Sequence, residues 1–110
     1  MFNDTTAALS FASIGHPHRV SILRRLVQAG QTGLNVSQMR EALGLPATTF
    51  GHHLKALVEA GLVRQEKRGR ELISYADYCA IQRLTAFLME DCCKGVFATS
   101  SSPTNVLETS

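Results

Sequence analysis

Two helical patterns in the middle of the chain follow one another with only three residues between them. Ser37 is a good N-cap for a short helix over 38–43, and Gly44 is the residue type that most often follows the end of a helix. Leu45-Pro46 then leads into a longer helical pattern over about 47–59. Two helices joined by a few residues around a glycine are typical of a helix-turn-helix.

Two further helices are predicted before this motif. The apolar residues of 7–14 recur at helical spacing, and Gly15 ends the pattern. A second helix begins near Pro17, because proline is tolerated in the first turn of a helix. Its apolar stripe, which we expect to face the core, consists of Val20, Ile22, Leu23, Leu26 and Val27. Residues 30–34 are predicted to form a turn.

A hairpin and a last helix are predicted after the motif. Two short strands, over 62–67 and 71–75, flank Arg68-Gly69-Arg70 and predict a β-hairpin with a basic tip. Asp77 is a suitable cap for a helix over about 78–94. The order helix, helix, helix-turn-helix, hairpin, helix predicts a mainly α fold with a β-hairpin wing, a winged helix.

The composition favours one folded domain. The chain has 110 residues, of which 45% are hydrophobic and 18% charged, and this is enough apolar content for a single core. We expect the domain over 1–94, with residues 1–6 frayed, and a disordered Ser/Thr-rich tail over 95–110. The sequence shows neither a signal peptide nor an apolar run long enough for a membrane span, so we expect a cytoplasmic protein. It also shows no catalytic Ser/His/Asp set or phosphate loop, so we do not expect an enzyme.

The longer helix of the motif has the side chains of a DNA-reading helix. Its apolar residues Phe50, Leu54, Leu57 and Val58 are expected to face the core. A helix in the major groove reads base edges with side chains of its N-terminal half, and hydroxyl and basic groups hold phosphates. The residues placed for these contacts are Thr48, Thr49, His52 and Lys55.

The predicted wing adds a local basic patch. The formal net charge of +2 does not by itself indicate nucleic-acid binding. Residues 64–70, however, contain four basic side chains and a single acid, Glu66. Arg68 and Arg70 at the tip suit contact with the DNA backbone or the minor groove.

The adjacent His52 and His53 are not expected to bind one metal ion, because neighbouring helical residues point about 100° apart. We expect one of them to face outward toward DNA and the other to be packed or capping. His16 and His18 flank Pro17 at a helix start, where a capping or surface role is the ordinary expectation.

Taken together, these segments resemble the ArsR/SmtB family of bacterial winged-helix metalloregulators. The similarity covers about 7–94 and includes Ile14-Gly15-His16-Pro17-His18-Arg19-Val20-Ser21-Ile22-Leu23, residues 43–57, Ala60-Gly61-Leu62-Val63 and Arg68-Gly69-Arg70. The resemblance implies a repressor that is homodimeric through its first and last helices, binds double-stranded operator DNA and leaves it when an inducer binds. Gly51 stands where relatives commonly carry a serine, which removes one hydroxyl contact.

Two of the three cysteines, Cys92 and Cys93, are adjacent near the end of the last predicted helix. The run Glu90-Asp91-Cys92-Cys93-Lys94-Gly95 looks like the ending of arsenic-responsive family members, although the third cysteine that those carry a few residues later is absent. Adjacent thiols suit a soft, thiophilic ion, and a disulfide between them would be strained. We therefore expect this pair to bind As(III) or Sb(III), inorganic or methylated, as the inducer.

Cys79 lies thirteen residues before Cys92, about 20 Å away along a continuous helix. It can therefore complete the thiol site only in trans, from an antiparallel helix of a second protomer. Asp77, Cys79, Glu90 and Cys93 also match the spacing of the family's zinc site between its last helices. A repressor responsive to a divalent metal such as zinc is therefore an alternative.

Two other interpretations of the cysteines stay open. In a thiol redox-sensing repressor, Cys79 would join Cys92 or Cys93 on oxidation. Cys92 also falls four and eight residues after Leu88 and Leu84, so it is alternatively a small buried residue on the packed side of the last helix.

Overall fold

The computed structural model of the chain describes residues 2–93 and contains five α-helices, one short 3₁₀ helix (Gly30–Thr32) and three strands in that range. The predicted order of elements is confirmed, and the mainly α fold with a β-hairpin wing is a winged helix. The helices are α1 (Asp4–Ile14), α2 (Pro17–Ala29), α3 (Val36–Leu43), α4 (Ala47–Glu59) and α5 (Tyr78–Met89). The strands are β1 (Leu34–Asn35), β2 (Val63–Arg68) and β3 (Glu71–Ala76).

The wing is the outer part of a three-stranded antiparallel sheet in the order β1-β3-β2. Strand β1 lies in the segment that the sequence predicts as a turn, where Leu34 pairs with Ser74. Gly33 makes this pairing possible, because a Cβ atom at that position would lie 2.6 Å from the Ser74 carbonyl oxygen. Its φ of +64° is also one that favours glycine. The wing is therefore attached directly to the start of α3.

The core lies between α2, α3, α4 and the base of the hairpin. Its fully buried side chains include Ile22, Leu26, Met39, Phe50, Leu57 and Leu62. The predicted stripe of α2 is only partly correct, because Val20 and Val27 are 40% and 42% exposed. They lie at the edges of the stripe, where the neighbouring elements do not cover them.

Two helices begin earlier than predicted, because asparagine side chains cap them. Asn3 forms a capping box with Thr6, so α1 starts at Asp4 and residues 3–6 are ordered rather than frayed. Asn35, and not Ser37, caps α3: its side chain accepts from the Gln38 backbone N–H at 2.8 Å, and the Gln38 side chain accepts in return at 2.8 Å.

The last helix ends five residues before the predicted position. Asp77 caps α5 as predicted, accepting from the Ala80 backbone N–H at 3.0 Å. The helix stops at Met89, and Glu90 leaves the helical conformation, with φ −56° and ψ +136°. Lys94 and the predicted tail over 95–110 lie outside the described residues. Within 2–93, none of the helices has the length and apolar character needed to cross a lipid bilayer.

Candidate nucleic-acid interface and thiol pair

Helix α4 has one buried side and one exposed side. The predicted core side is confirmed, with Phe50, Leu54 and Leu57 buried and Val58 half-buried. On the other side, Thr48, His52 and Lys55 are exposed. Their spacings of four and three residues put them along one line of the helix surface, with half-buried Thr49 beside them. The structure thus brings the four predicted DNA-contacting residues of α4 onto one accessible surface.

Two features of this surface bear on its use. Lys55 lies 3.9 Å from Glu59, but both side chains are well exposed, so the ion pair holds the lysine only weakly. Gly51 is exposed, and a Cβ atom there would have nothing within 4 Å. A small side chain such as that of serine would therefore fit at this position.

The wing presents its two predicted arginines in different surroundings. Arg68 donates to the Glu66 carboxylate at 3.4 Å, and Tyr75 donates to the same oxygen at 2.9 Å. Burial and this hydrogen bond raise the pKa of Tyr75, so its hydroxyl stays protonated and donating. Arg70 is exposed in the two-residue turn that follows Arg68, and Gly69 provides the positive φ of +63°. Of the two, Arg70 is the arginine whose charge is not offset by Glu66.

A polar contact joins the wing to the helix-turn-helix. The Asn35 side chain, which caps α3, also donates to the Glu71 carboxylate of β3 at 3.0 Å. Together with the β1–β3 pairing, this contact ties the hairpin to the first helix of the motif.

The four histidines lie close together where the α1–α2 junction meets α4. His16 caps α2, its Nδ1 accepting from the His18 backbone N–H at 3.1 Å, which confirms the expected capping role. His53 is 6% exposed, whereas His52 is exposed, which confirms the predicted division between the adjacent pair. The His53 ring centroid lies 4.3 Å from that of His16 and 5.5 Å from that of His18.

Sequence reasoning missed the role of Arg19. Its Nε donates to His53 Nδ1 at 3.0 Å, across 34 residues of sequence, and its Nη1 donates to the Ser13 carbonyl at 3.2 Å. An arginine in the first turn of an amphipathic helix is ordinarily a solvated side chain. No local pattern indicates that it reaches the recognition helix.

Cys92 and Cys93 lie in the turn after α5 and not on the helix. All three cysteines are free and exposed, so Cys92 is not a buried residue of the packed stripe. The Cys92 and Cys93 sulfur atoms are 3.5 Å apart. The hydrogen bond with Cys93 is the main cause that raises the pKa of the Cys92 thiol. Asp91 and Cys93 have φ values of +59° and +62°, a conformation that side chains other than glycine adopt at a cost.

Cys79 lies near the opposite end of α5. The helix runs ten residues beyond it to Met89, a rise of about 15 Å, so Cys79 does not join the pair within one chain. Of the predicted zinc set, Asp77 caps α5 and lies 4.0 Å from Arg64. Among residues 2–93 of one chain, no three His, Cys, Asp or Glu side chains are grouped so that they could hold a metal ion.

Comparisons with known proteins agree with this geometry. A family model described as a helix-turn-helix domain matches residues 14–66. An uncharacterised helix-turn-helix-type transcriptional regulator from Methanocaldococcus jannaschii is 36% identical over 63 residues, which are 57% of this chain and 68% of that protein.

Solved structures give the same assignment. An ArsR-like transcriptional regulator from Rhodococcus sp. RHA1 is 27% identical, with a TM-score of 0.68 over 76% of each chain. A homodimeric winged helix-turn-helix DNA-binding domain from Mycobacterium bovis is 26% identical, with a TM-score of 0.64 over 77% of this chain and 76% of its own. These relatives are regulators and not enzymes. The chain therefore belongs to the ArsR family of winged helix-turn-helix transcriptional regulators.

Proposed function

We propose that this regulator is a homodimeric repressor that binds operator DNA and is released when trivalent arsenic or antimony, inorganic or methylated, binds Cys92 and Cys93. The observation that carries the inducer assignment is the pair of free, exposed thiols with sulfur atoms 3.5 Å apart immediately after the last helix.

The exposed side of α4 and the wing support DNA binding. Thr48, His52 and Lys55 line an accessible helix surface, and Arg70 extends from the hairpin attached to the same motif. In winged helices a surface of this kind enters the major groove while the wing reaches the backbone or the minor groove. Arg70→Gln should weaken binding about equally for all sequences and lower the salt dependence by about one charge.

The outer surfaces of α1 and α5 support a homodimer. The two helices pack together, and three large apolar side chains on them are more than half exposed: Leu9 at 66%, Leu88 at 65% and Met89 at 61%. Exposed apolar patches of this kind mark protein–protein interfaces. The Mycobacterium bovis relative is homodimeric, and a second copy of this chain is the partner that we propose.

Thiol chemistry favours arsenic or antimony over harder ions. Soft sulfur ligands select soft, thiophilic ions, and trivalent arsenic binds thiolates in a pyramid. Two ligands are already in contact in one chain. A third thiol would come from Cys79 of the partner subunit or from a small thiol, because Cys79 of the same chain lies about 15 Å along α5 from the helix end that precedes the pair.

Release from DNA follows if the inducer prefers one dimer geometry. The thiol pair lies next to the exposed apolar end of α5, so an ion bound there changes the surface at the proposed dimer contact. Repression needs two recognition helices at the spacing of successive major grooves. The dimer has one geometry that fits the operator and another that does not. The inducer can lower operator affinity only by the factor by which it binds the second geometry more tightly than the first.

The test compares two arsenicals on three proteins. Phenylarsine oxide requires two thiols and arsenite favours three, so operator binding is measured with each ligand for wild type, Cys92→Ser/Cys93→Ser and Cys79→Ser. We expect the double variant to bind DNA normally and to respond to neither ligand. If Cys79 of the partner subunit is the third ligand, Cys79→Ser loses the arsenite response and keeps the response to phenylarsine oxide. An unchanged response in the double variant would refute the thiol site.

A thiol redox sensor is the second candidate, because all three cysteines are free and accessible to oxidants. In that case peroxide or polysulfide releases the DNA without any metalloid, and mass spectrometry finds a disulfide that joins Cys79 of one subunit to Cys92 or Cys93 of a second copy. A zinc-type response through Asp77, Cys79, Glu90 and Cys93 has less support, because Asp77 is engaged in capping α5.

A further inference from the structure

The contact between Arg19 and His53 connects three helices through one guanidinium group. Arg19 lies in the first turn of α2 and donates to the Ser13 carbonyl in the last turn of α1. From the same side chain, Nε donates to His53 Nδ1 on the inner side of α4. The last turn of α1, which lies within the described residues, contains no basic residue. A cation is favourable at the C-terminal end of a helix, and Arg19 from α2 supplies it here. The recognition helix is thereby attached to a helix of the proposed dimer surface.

This contact requires a particular protonation state of His53. An arginine N–H can donate to an imidazole nitrogen only when that nitrogen carries a lone pair, so Nδ1 is unprotonated and the ring proton is assigned to Nε2. A proton added at Nδ1 would remove the acceptor and place a second cation directly against the guanidinium. The hydrogen bond and the protonated imidazolium therefore exclude one another.

The surroundings of His53 favour the neutral ring. The ring is 6% exposed, and burial is the largest cause that lowers its pKa. The groups that act on its charge are basic on every side: His16, Arg19 and His18 from the α1–α2 junction, and His52 from α4 itself. The adjacent imidazole rings lie 4.3 to 5.6 Å away between centroids.

We propose that Arg19 and His53 are positioning residues that hold the recognition helix against the end of α1, and that proton uptake by His53 releases it. The effect on operator affinity rests on the proposed function, whereas the release itself is a property of the protein without DNA. The regulator would then bind DNA less tightly in acid, independently of its thiols.

The direction of the pH dependence follows from the lowered pKa. The unfolded chain takes up this proton at an ordinary value of about 6.5, and the folded chain resists it to lower pH. The contribution of His53 to stability is therefore complete above about pH 6.5 and is lost as the pH falls from there toward the folded value.

The first experiment needs no substitution. Histidine ¹⁵N chemical shifts report the tautomer and the titration of each ring. We expect His53 to be protonated at Nε2 alone near neutral pH and to titrate below the ordinary histidine value of about 6.5. A proton on Nδ1 at neutral pH, or a His53 titration at or above the ordinary histidine value, would overturn the proposal.

The second experiment uses a matched pair of variants. His53→Asn keeps an acceptor at the position of Nδ1 and cannot be protonated, whereas His18→Asn removes an imidazole of the same cluster and leaves the Arg19–His53 contact intact. Thermal unfolding between about pH 8 and pH 5 should show wild type and His18→Asn losing stability relative to His53→Asn. Parallel curves for wild type and His53→Asn would contradict the proton linkage.

The third measurement is the operator affinity of wild type divided by that of His53→Asn at each pH. Taking this ratio cancels the general effect of acid on DNA binding. The ratio should be near one at about pH 7.5, with wild type about threefold or more weaker at about pH 5.5. A constant ratio would show that the contact does not position the recognition helix for DNA. Absence of DNA binding at every pH would instead refute the proposed function, and the release of His53 would still be decided by the first two experiments.

Discussion

At the scale of single residues, Gly51 is an unusual choice for the middle of a recognition helix. It lies in α4 with ordinary helical surroundings, and a Cβ atom there would meet nothing within 4 Å. Glycine costs about 0.5–1 kcal/mol relative to alanine in a helix. Gly51→Ala should therefore raise the free energy of unfolding by about that amount, as measured by urea denaturation. A loss of stability would mean that residue 51 adopts a backbone conformation that favours glycine and that differs from the one in this structure.

The hydrogen bond between the adjacent thiols gives a second prediction at this scale. Because the bond with Cys93 raises the pKa of Cys92, the Cys92 thiol has less thiolate at a given pH than an isolated cysteine. Removing the neighbour in Cys93→Ala should lower that pKa and increase the rate at which iodoacetamide modifies Cys92 near pH 8. Peptide mass spectrometry measures this rate, with Cys79 in the same sample as the internal control. A slower reaction would contradict the assigned effect of Cys93.

At the scale of elements, Asn35 both caps α3 and contacts the wing. Its loss in Asn35→Ala should cost about 1 kcal/mol from the cap, with a further contribution from the lost contact with Glu71. Glu71→Ala removes only the contact with the wing. A double-mutant cycle in urea denaturation separates the two effects, and we expect a measurable coupling energy between these residues. Simple additivity would indicate that the bridge does not contribute in solution.

Residue patterns predicted the elements of this fold more accurately than their ends. Helix α4 occupies the predicted range because Pro46 before it and Gly61 after it are strong local signals. The early start of α3 depends on a capping box between Asn35 and Gln38, and the sequence offers Ser37 as an equally good local cap. The end of α5 at Met89 has no helix-breaking residue to announce it, since no glycine or proline occurs until Gly95.

The candidate site was predictable where one helix determines it and unpredictable where separate elements meet. The exposed side of α4 follows from helical spacing alone. The contact between Arg19 and His53 joins residues 34 positions apart, and no periodicity encodes such a distance. The adjacent thiols were visible in the sequence, but their place beyond the helix was not.

At the scale of the whole molecule, the exposed apolar residues of α1 and α5 are the feature that a single chain leaves uncovered. Leu88→Glu should convert the proposed dimer to a folded monomer, because this side chain is 65% exposed and does not belong to the core. Sedimentation analysis would show the change, with Gln28→Glu on the exposed surface of α2 as the charge-matched control. A dimer that persists in Leu88→Glu would place the interface elsewhere.

The attachment of the wing to the start of α3 limits how an inducer can act. The β1–β3 pairing and the hydrogen bond from Asn35 to Glu71 join the hairpin to the helix-turn-helix of one protomer, so we expect the two to move as one body. What remains adjustable is the separation and tilt of two such bodies. We therefore expect a ligand-loaded dimer to recognise an isolated half-operator as well as the ligand-free dimer does, and to fail only where both halves must be engaged at once.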